Sequence, residues 1–143
     1  MISLELAQRL RQAGLRWQPA EHDTFALPDR QMDSQVFVLS AQPALIQLYN
    51  GDPVVTFQGS TEWALDYVFL TEVIWLPSEA QLREALAQRL GPDAPLRLDR
   101  TPTGYCCTFA HGEHLREAAA PDAAEAYGLA LLELLSEERE TRG

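Results

Sequence analysis

Glu62 and Asp66 stand four residues apart in the stretch Ser60-Thr61-Glu62-Trp63-Ala64-Leu65-Asp66, and a second tryptophan, Trp75, follows shortly after. On a helix that spacing turns both carboxylates to one side, the arrangement used for acid–base work or for a hard cation. Flat aromatic walls at Trp63 and Trp75 would suit a small ligand. Ser60 or Thr61 caps such a helix, and Glu62 favours the positive end of its dipole. Trp63, Tyr67 and Leu70 then share a stripe of their own, as in a core-facing helix, and Trp75 before Pro77 seals a joint between elements. The tryptophans therefore read first as architecture, and Glu62 and Asp66 as acids available to solvent or a ligand.

Other reactive residues are sparser. His111-Gly112-Glu113-His114 is the nearest approach to a metal motif, but the glycine argues for a loop and the H-E-x-x-H pattern is absent. His111 and His114 are thus weak metal candidates at the end of a hairpin, and no metal is expected. The acids Glu21, Asp23, Asp29 and Asp33 do not fit a calcium loop and read as solvated turns. Ser60 lies in Q-G-S-T, not in G-x-S-x-G. Cys106 and Cys107 are neighbours, too close for an unstrained disulfide, and are expected as free thiols.

The chain carries 11 basic residues, every one of them arginine. Without lysine there is no phosphate-loop lysine and no Schiff base, so no cofactor is expected. A formal net charge of −10 disfavours direct binding to nucleic acid. No apolar run is long enough to span a bilayer, and the opening MISLELAQRLRQAG lacks the marks of a signal peptide. A cytoplasmic protein is the expectation.

The elements that must position these residues are legible. Ser3 caps a first helix with the apolar stripe Leu6, Leu10 and Ala13, closed at Gly14-Leu15. Ser78 and Gln81 form a capping box opening a second helix, which presents Leu82, Leu86 and Leu90 and stops at Gly91-Pro92. Asp122 and Glu125 fit a capping box opening a third, running from about Asp122 to Glu138. Its core arc holds Ala124, Tyr127, Gly128, Leu131, Leu134 and Leu135; Leu129 falls outside it and is a candidate partner contact. Gly128 implies close approach of another element. Period-two segments at 24–27, 35–39, 44–49, 54–58, 96–100 and 105–110 predict strands, with a turn at Asn50-Gly51-Asp52-Pro53 and another at Thr101-Pro102-Thr103-Gly104. Tyr105, Cys107 and Phe109 share one face, opposite Cys106 and Thr108. The sum is a single α+β domain over 1–143: one antiparallel sheet of about six strands, three main helices, a short helix containing Trp63, and a frayed tail at about 137–143.

With these segments placed, the blocks A-G-L-R-W (Ala13–Trp17), L-P-D-R (Leu27–Arg30), V-F-V-L-S (Val36–Ser40), T-E-W-A-L-D (Thr61–Asp66) and W-L-P (Trp75–Pro77) resemble those of short uncharacterised bacterial proteins, across most of the first 90 residues. Some of those go under a pilus-assembly label, although a pilus ATPase needs the phosphate-loop lysine missing here. Ser3–Gly14, the proline-started second helix and the closing helix are weakly similar to small phage- or mobile-element-encoded proteins. The resemblance implies no established activity, and no catalytic residue is carried over.

These readings lean away from an enzyme. The expectation is a non-enzymatic protein-interaction module, with an unknown protein partner or a homodimer. One alternative is an acidic inhibitor, immunity-type protein or nucleic-acid mimic. Another is a small ligand binder or enzyme using Glu62 and Asp66 near Trp63 and Trp75.

Overall fold

Each helix begins where its side chains can satisfy the free amides of a first turn. In the computed structural model, α1 (Leu4–Gln12) starts behind Ser3, whose hydroxyl accepts from the Leu6 amide at 3.1 Å. It closes in a Schellman motif: the Leu15 amide donates to Leu10 O and the Gly14 amide to Arg11 O, with Gly14 at φ 111°. The capping box of α2 (Glu79–Leu90) is complete, Ser78 and Gln81 exchanging both hydrogen bonds. At α3 (Ala123–Arg142), Asp122 accepts from the Glu125 amide at 2.8 Å. The expected capping box is only half made, because the Glu125 carboxylate reaches to α1 and accepts from the Ser3 amide, not from that of Asp122. The structure describes residues 1–28, 32–39, 44–49, 52–57, 67–69 and 72–142, with only the backbone at 32–35, in the segments between 44 and 69, and at 142.

The architecture is α+β, with the strands β1 (Thr24–Leu27), β2 (Met32–Val38), β3 (Ala44–Tyr49), β4 (Asp52–Phe57), β5 (Tyr67–Phe69), β6 (Ile74–Leu76), β7 (Leu96–Thr101), β8 (Gly104–His111) and β9 (His114–Ala120). One correction concerns the sheet. Among the described residues the strands form three separate antiparallel sheets of three, ordered β2-β1-β6, β3-β4-β5 and β7-β8-β9, and not one sheet of about six. The two predicted hairpins, β3–β4 and β7–β8, pair locally, as do β1 and β2, and each pair then recruits one further strand the sequence does not announce. β5 and β6 are three residues long, too short to show a period of two. β9 ends in Ala118-Ala119-Ala120, poor β-formers. The predicted helix around Trp63 lies in 58–66, outside the described residues, and Tyr67, expected on its stripe, instead begins β5 opposite Thr56 of β4.

The chain divides into two compact units, Trp17–Leu76 and Met1–Arg16 with Pro77–Gly143. In the first, Phe25 of β1 lies between Phe37 and Trp75 in register. Its ring stacks on Phe37 at 5.5 Å and tilts against Trp17 at 5.8 Å. Asp23 is buried, not solvated as its cluster suggests: Oδ2 accepts from Trp17 Nε1 at 2.8 Å and from the Ala20 amide at 3.0 Å. His22 takes a left-handed φ of 77° in that turn.

In the second unit α3 is the central element, packed by α1, α2, β8 and β9. Ala126, Ala130, Leu131 and Leu134 are fully buried on it, with Leu82 and Leu86 of α2 and Cys107 and Phe109 of β8. The helices α1 and α3 run parallel, since Ser3 meets Glu125, Gly128 meets Leu6, and Gln12 O accepts from Arg139 at 2.8 Å. A Cβ on Gly128 would lie 2.7 Å from Leu6 Cδ2, which is the close approach that the glycine implied. The helix also runs to Arg142, beyond the Glu138 at which the apolar pattern ends.

Candidate functional site

The elements α1, α2, β8 and β9 pack on α3 and leave one stripe open. Leu129, Leu132, Ser136 and Glu140, and beside them Glu133 and Glu137, recur at spacings of three and four residues, so they line a single helix face. Arg9 of α1 forms one wall and Ala118 of β9 the other, enclosing an open cleft of about 490 Å³. The floor is apolar at the Leu129 end, where Leu129 and Leu132 are half-buried beside buried Ala118. The other end is acidic.

The β9 wall is tied to α3 by charge. Alternation along β9 turns Arg116 and Ala118 towards the helix. The Arg116 guanidinium bridges two carboxylates one turn apart, Nη1 to Glu133 Oε1 at 2.8 Å and Nη2 to Glu137 Oε1. The other oxygen of Glu137 lies 3.1 Å from His111 Nδ1. These side chains are all about a quarter to two-fifths exposed, so the pairs orient one another more than they stabilise the fold. The Glu140 carboxylate, further along, is exposed and has no ion pair among the described residues.

The residues singled out by sequence are scattered. Glu62, Trp63 and Asp66 lie outside the described residues. Trp75 sits half-buried on β6 with its Nε1 buried and without a hydrogen-bond partner among the described residues. Leu129 does line the cleft. His111 and His114 face each other as the last pair of the β8–β9 hairpin. His111 turns to Glu137 and His114 is exposed, and among the described residues no three His, Cys, Asp or Glu side chains are grouped to hold a metal ion. Arg116, the residue organising the acidic end, was not singled out, because its role depends on a strand without a signal. The spacing of Glu133 and Glu137 was the available clue.

Two buried groups of this unit, away from the cleft lining, have shifted acidities. Burial pushes the Cys107 thiol from 9.0 up to about 11, with the neighbouring Cys106 adding to the effect. Burial likewise raises the Tyr127 phenol; Cys107 adds to this, while the hydrogen-bonded Arg83 guanidinium pulls it back. Both are therefore held neutral, as core packing requires, and Cys107 is a poor nucleophile. Both cysteines are free thiols.

Compared with protein-family models, curated proteins and solved structures, the chain matches none. Among the described residues no helix is long and apolar enough to cross a membrane.

Proposed function

We propose that this chain is a non-enzymatic, cytoplasmic protein-interaction module whose contact surface is the α3 cleft. The observation that carries the reading is the open apolar end of the cleft, with Leu129 and Leu132 on its floor and Ala118 on its wall, next to the charged side chains Arg9, Glu133, Glu137 and Glu140. Contiguous apolar surface with a polar rim is the usual anatomy of a protein contact, whereas a single exposed leucine such as Leu115 needs no explanation. The test is quantitative affinity capture from native lysate with the wild-type chain and with Leu129→Arg. A specific partner retained by the first and lost by the second supports the reading. A partner retained equally by both, or none with either chain, removes it. Light scattering on the same two proteins decides whether the partner is a second copy.

Two further readings have an observation each in their favour. An acidic inhibitor or nucleic-acid mimic is favoured by the net charge of −10 and by the glutamates at 133, 137 and 140. Specific capture of a basic nuclease would select it. A ligand site using Glu62 and Asp66 near Trp63 and Trp75 is favoured by the buried indole N–H of Trp75, which has no acceptor among the described residues and which a ligand acceptor would satisfy. A Trp75→Phe variant that binds the same small molecules as wild type would remove it.

A further inference from the structure

We propose that the α3 cleft receives a basic amphipathic segment of another protein, with apolar residues at one end and Lys or Arg at the other. This rests on the interaction reading above and specifies the chemistry of the partner. The cleft is polar along its length. Leu129, Leu132 and Ala118 line one end, and Glu133, Glu137 and Glu140 follow towards the other. From residue 129 to 140 the stripe is about 16 Å long at ~1.5 Å per residue, the length of a three-turn helix laid in a groove.

Charge selects the occupant. Arg116 is already shared between Glu133 and Glu137, and the three carboxylates outnumber the two arginines, Arg9 and Arg116. Glu140, exposed and without an ion pair among the described residues, is placed to meet a cation. A complementary segment thus sets apolar side chains over Leu129 and Leu132 and cations over Glu137 and Glu140. Arg9, on the α1 wall, keeps cations away from the middle of the stripe.

A second copy of the chain is a poor occupant. In a two-fold pairing with the α3 helices antiparallel, Leu129 and Leu132 of one copy would oppose Glu140 and Glu137 of the other, desolvating carboxylates against leucine. With the helices parallel, the acidic ends would face each other. Neither symmetric arrangement complements the stripe, whereas a basic amphipathic segment does.

The test uses the full chain and a fluorescein-labelled helical peptide of about 16 residues, long enough to cover the stripe. The peptide carries leucines spaced as Leu129 and Leu132 and lysines spaced as Glu137 and Glu140; a control peptide has glutamates for the lysines. The lysine peptide should bind, the control about tenfold more weakly or not at all, and added salt should weaken the complex. Glu140→Lys, at an exposed position, should weaken the lysine peptide and restore the control. Leu129→Gln should weaken both, and amide chemical shifts should move along α3, β9 and the Arg9 turn. Equal binding of the two peptides, no exchange of preference by Glu140→Lys, or shifts confined to another face would overturn the proposal. So would a dimer in light scattering that Leu129→Gln dissociates. Loss of peptide selectivity together with a neutral or acidic partner captured through Leu129 would overturn the basic-segment assignment alone and leave the interaction reading standing.

Discussion

Replacing Gly128 by alanine sets two effects of known sign against each other. Alanine in a helix interior is worth about 1 kcal/mol over glycine, so at an open position the change stabilises. At Gly128 the new Cβ would stand 2.7 Å from Leu6 Cδ2 and 3.5 Å from Leu6 Cγ. Carbon atoms rest about 3.5–4.0 Å apart, so the leucine methyl must retreat by roughly 1 Å. Leu6 is only 4% exposed and has little room for that movement. Overpacking of this kind costs about 1–3 kcal/mol. The expected net result is a destabilisation of roughly 0–2 kcal/mol, read as a lower urea midpoint at unchanged slope.

The sign should reverse once the obstacle is removed. Leu6→Ala alone costs about 2–5 kcal/mol as a cavity mutation. In that background the next nearest atom to the new Cβ is Ile2 Cγ2 at 3.6 Å, an ordinary contact. Gly128→Ala should then stabilise by about 1 kcal/mol, giving a coupling between the two sites of roughly 1–3 kcal/mol. If Leu6→Ala leaves too little native protein, Leu6→Val also removes the obstructing methyl. A Gly128→Ala variant stabilised by its full propensity in the wild-type background, additive with the change at position 6, would refute the close approach of α1 and α3.

Gly104 presents a harder case: at φ 149° a Cβ would meet the Ala120 carbonyl oxygen and Pro121 Cα, backbone atoms that cannot turn aside, so Gly104→Ala should destabilise by about 1–3 kcal/mol or more in the same urea assay. A thiol reagent at mildly alkaline pH should modify half-exposed Cys106 in the folded protein and reach Cys107 only on unfolding, which peptide mapping would separate. Because the fold raises the Cys107 pKa, its contribution is complete below about pH 8.5–9 and is lost as pH rises through about 11; that costs about 3 kcal/mol, absent in Cys107→Ala when each variant is compared with itself below and above that window. Asp23→Ala leaves the Trp17 indole N–H without its Asp23 acceptor and should cost about 1–3 kcal/mol in the urea assay, with native tryptophan emission shifted from that of wild type.

What the sequence made legible divides by the range of the interactions involved. The helix starts at Ser3, Ser78 and Asp122 are contacts between residues three apart, and all three appear as the residue types imply. The strands 24–27 and 44–49 fall where alternation put them, and the antiparallel partner of each hairpin is the next segment along. Tyr105, Cys107 and Phe109 do share a face, with Cys107 and Phe109 fully buried. The missed strands are those whose formation depends on a neighbour already in place: β9 exists because β8 offers it an edge, and the small Ala118 is buried on the face turned to α3. Asp23 was misread for a related reason. Four acids in a run of turns resemble a solvated surface, yet the indole of Trp17, six residues earlier, supplies a donor that makes burial of one of them tolerable.

The same distinction explains why Leu129 could be marked and the cleft could not. An arc drawn at 100° per residue shows which leucine α3 leaves outside its core face, but not what stands on either side. The structure supplies α1, drawn close by Gly128, on one side and β9, tethered through Arg116, on the other. Together these neighbours turn a residue outside the arc into the floor of a groove. The groove has walls only because α3 is the central element: α1, α2 and the β7–β9 sheet claim its remaining faces, so the stripe from Leu129 to Glu140 is the part of its surface still available to a further segment of chain. Its leucines and carboxylates are separated along the helix, not interspersed as on an ordinary solvated face. That segregation gives the stripe a direction, and a direction is what a single bound segment can read.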